Sequence, residues 1–169
     1  MTREEFIRVL EDIKGYSYEI VGDKLVITHH VNVYLRSLKT LPPGVVFKNG
    51  GYVYLDSLET LPPSVEFKNV GYVYLNSLET LPPGAEFKNK GYVYLDSLKT
   101  LPPGVEFNNE GGVYLESLKT IPPGVEFNNG GSVYLSSLTG KWFNYWEGNI
   151  EGVDNKRLLN SMISKGVFI

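Results

Sequence analysis

Residues 53–72 read VYLDSLETLPPSVEFKNVGY, and the same text returns with small changes in every neighbouring block of twenty. The copies begin at Val33, Val53, Val73, Val93 and Val113, and a truncated sixth, VYLSSL, begins at Val133. Five full copies and six further residues cover 33–138, or 106 of 169 positions, with no insertion or deletion. All ten prolines fall in the Pro-Pro pairs of these copies, so the chain-breaking residues belong to the repeat and do not mark linkers. A strict period of twenty is too short for a helix pair and suits one coil of a solenoid made of strands and turns.

Inside one copy, Val53, Leu55 and Ser57 alternate with Tyr54 and Asp56, and Val65 and Phe67 alternate with Glu66 and Lys68. Two short strands per coil are expected from this alternation. Leu61-Pro62-Pro63 reads as an extended corner, because proline donates no ladder bond and biases its predecessor to extended geometry. Ser64 stands where the other full copies have glycine after Pro-Pro, which argues that a positive backbone angle is dispensable there. Gly51, Gly71, Gly91, Gly111 and Gly131 have no exception and are expected to close the coil where a side chain would clash.

Stacking identical coils at about 4.8 Å turns equivalent residues into columns. Val53, Leu55, Leu58, Leu61, Val65 and Phe67, with their counterparts, are the expected core, and Phe47, Phe67, Phe87, Phe107 and Phe127 one column of it. Asn49, Asn69, Asn89, Asn109 and Asn129 resemble an asparagine ladder whose amides bond along the stack. The serine column from Ser37 to Ser137 is expected to face inward.

An open solenoid needs covered ends, since bare strand edges aggregate. Thr2 and Glu5 have capping-box spacing, Phe6, Val9, Leu10 and Ile13 share a helical face ending near Gly15, and Tyr16 to Val21 with Lys24 to Thr28 read as a hairpin around Gly22-Asp23. Trp142, Phe143, Tyr145 and Trp146 are expected to cover the last coil, followed by a helix capped by Asp154 and carrying Leu158, Leu159, Met162 and Ile163 before Gly166. The expected fold is therefore an all-β solenoid of 20-residue coils, leucine-rich-repeat-like with parallel sheets, and helical N- and C-terminal caps. Residues 1–32 form one cap, 33–138 the solenoid and 139–169 the other cap, all in one cooperative domain.

LPPSVEFKNV, followed by Leu75 and Leu78, resembles the 20-residue bacterial leucine-rich repeats that contain Leu-Pro, and the resemblance implies a class associated with protein recognition. The array departs from the usual LxxLxLxxN run, because VYLxSL has no asparagine at that offset, so a straighter two-sheet solenoid fits as well as a curved horseshoe. The caps, GNIEGVDNKRLLNSMISKGVFI above all, resemble those of uncharacterised repeat proteins in bacterial and phage genomes.

Composition narrows the function. The chain is 42% apolar and 21% charged, with net charge -3 and no cysteine, which removes disulfides, thiolate metal sites and cysteine nucleophiles and suits a reducing, cytoplasmic setting. No apolar run approaches the roughly 20 residues of a membrane span. His29 and His30 are neighbours that a strand would point to opposite faces, so they are not expected to share a metal. The carboxylate columns Asp56, Asp96 and Glu116, and Glu66, Glu86, Glu106 and Glu126, are expected at the surface, the second offset by Lys48, Lys68 and Lys88. Gly50-Gly51 and Gly111-Gly112 lack the helix and lysine of a phosphate loop. No enzyme, cofactor or metal is expected.

What stands out is the outside of the VYLxSL sheet. Tyr34, Tyr54, Tyr74, Tyr94, Tyr114 and Tyr134 form one expected exterior column, and Tyr52, Tyr72 and Tyr92 a second that changes to Gly112 and Ser132. The candidate partner-binding residues are Tyr52, Tyr54, Tyr72, Tyr74, Tyr92 and Tyr94, rimmed by Asp56, Asn76 and Asp96. A noncatalytic protein-binding module is the leading expectation, with a phage or host factor as partner, because tyrosine offers large contact area at low entropic cost. Carbohydrate binding and acidic mimicry of DNA are the alternatives, the latter weakened by an array with ten acidic and eight basic residues. Self-association through the flat face is a further outcome, and direct nucleic-acid binding is not expected.

Overall fold

The computed structural model of the chain describes residues 1–138, 149–150 and 153–166. A helix α1 (Arg3–Arg8) and one π-helical segment (Val9–Lys14) precede a hairpin of β1 (Tyr18–Val21) and β2 (Lys24–Ile27). Each coil then adds two strands. One set comprises β3 (Val33–Tyr34), β5 (Val53–Tyr54), β7 (Val73–Tyr74), β9 (Val93–Tyr94), β11 (Val113–Tyr114) and β13 (Val133–Tyr134). The other comprises β4 (Val45–Phe47), β6 (Glu66–Phe67), β8 (Glu86–Phe87), β10 (Glu106–Phe107) and β12 (Glu126–Phe127). A short β14 (Asn149–Ile150) and a helix α2 (Val153–Ser164) follow. Among the described residues these build two seven-stranded sheets, ordered β1-β2-β4-β6-β8-β10-β12 and β14-β13-β11-β9-β7-β5-β3. The molecule is a β-solenoid of 20-residue coils in two sheets, and every coil-to-coil pairing is parallel and joins residues twenty apart, as Tyr54 to Tyr74 and Phe67 to Phe87.

The strands are shorter than the alternation of the sequence suggests. Leu58 N–H donates to the Leu55 carbonyl at 3.0 Å, so a turn begins directly after Leu55. That turn swings Leu58 back into the core, where it is fully buried, and carries the serines outward. Ser37, Ser77 and Ser137 are exposed, and Ser57, Ser97 and Ser117 half-buried, so the serine column does not face inward as expected. The six expected core positions are buried in every coil except at Leu38, which is half-buried, and the Phe47 to Phe127 rings stack at 5.0–5.5 Å with planes within 3–7° of parallel.

The Pro-Pro corner also corrects an expectation. Gly44, Gly84, Gly104 and Gly124 adopt φ of 75°, 68°, 76° and 85°, and Ser64 adopts φ 64° in the same place. The corner therefore requires the left-handed conformation, and the serine copy bears a strain that glycine avoids.

At the opposite corner the coils touch through glycine. A Cβ at Gly91 would stand 2.6 Å from the Gly71 carbonyl carbon and 2.4 Å from Cδ1 of Tyr72. One at Gly111 would stand 2.5 Å from the carbonyl carbon of Gly91. The asparagine column lies beside this seam, buried. Its amides do not bond to one another as expected. Asn89 Nδ2 donates to the main-chain carbonyls of Gly71 at 3.1 Å, Gly91 at 2.9 Å and Tyr92 at 3.4 Å, and Asn69 and Asn109 repeat the pattern. The corner brings several main-chain carbonyls within reach of each amide, some of which also accept an N–H from the neighbouring coil, as the Tyr92 carbonyl does from Val73 at 2.9 Å.

The N-terminal hairpin carries the register of the repeat. Leu25 pairs with Val45 and Ile27 with Phe47, again twenty apart, which makes the segment from Leu25 a degenerate coil that β1 then covers in antiparallel fashion. The Thr2–Glu5 capping box forms, Gly15 ends the helical segment at φ 59°, and Phe6 and Leu10 are buried in the core. Tyr16 adds a plug: its hydroxyl accepts the Tyr34 N–H at 2.7 Å, at the outermost strand of the second sheet. A comparable plug closes the other sheet, where Asn160 Oδ1 accepts the Phe127 N–H at 3.0 Å and Asn160 Nδ2 donates to the Phe127 carbonyl at 3.1 Å. Leu159 and Ile163 bury against the core, and Gly166 follows the helix at φ 68°. Helix α2 starts at Val153, so Asp154 lies within its first turn and not ahead of it. Trp142, Phe143, Tyr145 and Trp146 lie outside the described residues, as do the side chains of Ile13 and Leu158.

Relieving the strained corner should be measurable. Ser64→Gly is expected to raise the unfolding free energy by about 1 kcal/mol, and Gly84→Ser to lower it by about the same amount. Urea titrations of the two variants check this, and stabilities unchanged in both would contradict it.

Candidate functional site

The register that stacks the core also stacks the tyrosines. Tyr34, Tyr54, Tyr74, Tyr94, Tyr114 and Tyr134 form one outer column with centroids 4.2–4.8 Å apart and planes 2–10° from parallel. Near-parallel rings at this spacing are offset, so each covers part of its neighbour's face. Tyr34, at the end of the column, is 43% exposed; the others are half-buried. The face thus offers ring edges and hydroxyls, with only part of each ring plane open.

The second column packs on the glycine seam. Tyr52 and Tyr72 stack at 4.7 Å, and the missing side chains of Gly71 and Gly91 make room for their rings. Tyr92 then turns edge-on to Tyr72, with an interplanar angle of 87°. Its ring lies across the next member of the column, where a Cβ on Gly112 would meet it at 2.8 Å. Glycine at 112 is what lets the last ring rotate and close the column. The two columns meet at centroid distances of 6.1–6.5 Å, from Tyr52 against Tyr54 through Tyr92 against Tyr114. All six candidate tyrosines therefore belong to one continuous aromatic face. Asn32, one position before Tyr52 in the second column, starts it: Asn32 Oδ1 accepts the Tyr52 N–H at 2.8 Å and Asn32 Nδ2 donates to the Tyr34 hydroxyl at 3.0 Å. Sequence reading missed this residue because the degenerate coil hides its register.

The expected rim is unevenly compensated. Arg36 Nε lies 3.4 Å from Asp56 Oδ2, and its guanidinium carbon is 4.2 Å from the centroid of the Tyr54 ring. Asn76 Nδ2 donates to Asp56 Oδ1 at 3.3 Å. Asp96 has no such partner: its Oδ1 is buried without a hydrogen bond, and burial pushes its carboxyl above the usual range. On the other sheet Glu66 pairs with Lys24 and Lys68, and Glu86 with Lys88. Where lysine gives way to Asn108 and Asn128, their amides donate to Glu106 at 3.0 Å and Glu126 at 3.2 Å.

His29 and His30 follow β2 in a loop and not on a strand; His29 packs on Tyr16 at 4.8 Å, and its Nδ1 accepts the Ser17 N–H at 3.5 Å. Among the described residues no three His, Cys, Asp or Glu side chains gather where they could hold a metal, and no helix is long and apolar enough to cross a membrane. Comparison with protein-family models, with curated proteins and with solved structures finds no match to this chain.

Burial and the surrounding phenols push Tyr74 up to about 12, and burial also raises Tyr94 and Tyr114. An unfolded tyrosine ionises near 10, so the stability these groups contribute is intact below pH 10 and declines as pH climbs towards 12, because the unfolded chain releases protons that the folded one keeps. Tyrosinate absorbance of the native protein should accordingly lag that of the urea-unfolded chain across this window. Coincident titrations near pH 10 would contradict the stacked, half-buried column.

Proposed function

We propose that the chain is a noncatalytic binding module that presents its double tyrosine column to a protein partner. The observation that carries this reading is the joining of nine tyrosines, in two columns 6.1–6.5 Å apart, into one face held by a rigid parallel sheet. A pre-ordered aromatic surface loses little side-chain freedom when a partner covers it, and tyrosine is among the residues that dominate binding energy at protein interfaces. The resemblance of the coils to Leu-Pro repeats, a class associated with protein recognition, supports the same reading. The likeness of the caps to phage and bacterial repeat proteins favours a phage or host factor as the partner. The lack of cysteine suits work in the cytoplasm.

The alternatives draw less support from the geometry. A sugar ring stacks on an open aromatic face, whereas these rings cover one another. Mimicry of DNA needs uncompensated negative charge, whereas Asp56, Glu66 and Glu86 already have cations beside them.

The test is capture of partners from the native host, read by mass spectrometry. Joint replacement of Tyr72, Tyr74 and Tyr92 by serine is expected to weaken capture by about tenfold or more. Undiminished capture by a variant that keeps its circular dichroism and cooperative unfolding would remove this face as the binding site.

A further inference from the structure

One arginine already sits on the tyrosine face, and it belongs to the chain itself. Arg36 lies in the column that runs Arg36, Asp56, Asn76, Asp96, Glu116 and Ser136, each two residues after an outer tyrosine. Its guanidinium carbon lies 4.2 Å from the centroid of the Tyr54 ring and 5.8 Å from that of Tyr34, and its Nε reaches Asp56, in the coil of Tyr54, at 3.4 Å. Cation–π contact and ion pairing act together there, and a planar guanidinium satisfies both at once as an ammonium does not.

Three coils further on, the same elements recur without a cation. Tyr114 takes the place of Tyr54 and Glu116 that of Asp56, while Asp96 stands where Arg36 would. Asp96 is too short to lie over the ring and has the wrong charge to balance Glu116. Neither acid has a cationic partner among the described residues, and Asp96 Oδ1 is buried with no hydrogen bond. The second tyrosine column stops at Tyr92, whose ring lies 6.1 Å from that of Tyr114, while Gly112 and Ser132 add no further ring beside Tyr114 and Tyr134. In the upper part of the column Arg36 balances the charge of Asp56, whereas the two acids of the lower part have no cation beside them among the described residues; the buried Oδ1 without a hydrogen bond is a feature that Asp96 shares with Asn76.

We infer that Tyr94, Tyr114, Asp96 and Glu116 form an arginine subsite, in which a guanidinium from the protein partner lies over Tyr114 and pairs with Asp96 and Glu116. This rests on the reading of the face as a protein-binding surface and adds the chemistry of the partner: a segment that presents at least one accessible arginine. The raised Asp96 carboxyl agrees, since a cation beside it would return it towards its ordinary value.

The chain itself supplies the sharpest variant. Asp96→Arg places a guanidinium where Arg36 stands relative to its own coil pair, so it fills the subsite from within and keeps the column folded. The probe is a short arginine-glycine peptide titrated against the protein by NMR, with lysine-glycine and citrulline-glycine peptides as controls. Ring resonances of Tyr114 are expected to shift with the arginine peptide, the lysine peptide to bind several-fold more weakly, and the citrulline peptide not at all. Both Asp96→Arg and the paired Asp96→Asn, Glu116→Gln variant should weaken arginine binding about tenfold. Equal binding of the arginine and lysine peptides, undiminished binding by Asp96→Arg, or no shift with any peptide would each overturn the subsite. In the host capture experiment, loss of partner with the tyrosine variant but not with Asp96→Arg removes the subsite alone, and retention with both removes the face.

Discussion

At the glycine corner successive main chains approach so closely that no side chain fits between them. The contacts a methyl group would make at Gly71, Gly91, Gly111 and Gly131 run from 2.1 to 2.9 Å and include main-chain atoms of the preceding coil in every case. Such an approach is possible only if each coil presents its glycine directly above the last, which ties the whole stack to a period of twenty. The asparagines beside the seam donate to main-chain carbonyls of the corner, so the tight turn carries its own hydrogen-bond donors. Strands of two residues would be marginal alone; repeated and locked at this corner, they build continuous sheets.

Strict register has a chemical consequence, because every choice at one position is multiplied down the stack. For apolar side chains and tyrosines the multiplication is favourable, giving rings that stack at about the strand spacing. For carboxylates it is unfavourable, and the chain answers with lysines or asparagines two residues away. Positions that break the repeat are therefore the informative ones. Arg36 neutralises one acid and covers one ring, Gly112 lets Tyr92 fold over, and Asp96 and Glu116 remain as two acids without a counterion among the described residues.

Most of the architecture was legible because columns follow from the period alone: the core, the glycine seam and the tyrosine face could be read from residues twenty apart, and the helix-hairpin start from the Thr2–Glu5 capping box and the Gly22-Asp23 turn. What escaped the sequence was geometry inside one coil. Ser64 looked like evidence against a positive φ, yet serine can occupy that conformation at a cost of roughly 1–2 kcal/mol, so its presence was weak evidence. Alternation places the serines inward, but it ends at Leu55, where the turn begins, so the rule does not reach them. Bonding between the asparagines themselves fails as an expectation because the sequence does not disclose which main-chain carbonyls the corner brings within reach of each amide. Asn32, Tyr16 and Asn160 lie outside the clear repeat, and their plugging roles depend on which backbone groups the ends leave open.

The account stands on the register of twenty residues, and coil deletion tests it most directly. Removing residues 73–92 takes out one whole coil and joins Tyr72 to Val93, which restores every column. This shortened chain is expected to keep its β circular dichroism and a single cooperative unfolding transition at somewhat lower urea. Removing residues 73–91 instead leaves one residue too many and sets the glycine, asparagine and phenylalanine columns out of step, so that protein is expected to lose cooperative unfolding. Equal folding of the two deletions would contradict the claim that the coils are locked in register at the glycine corner.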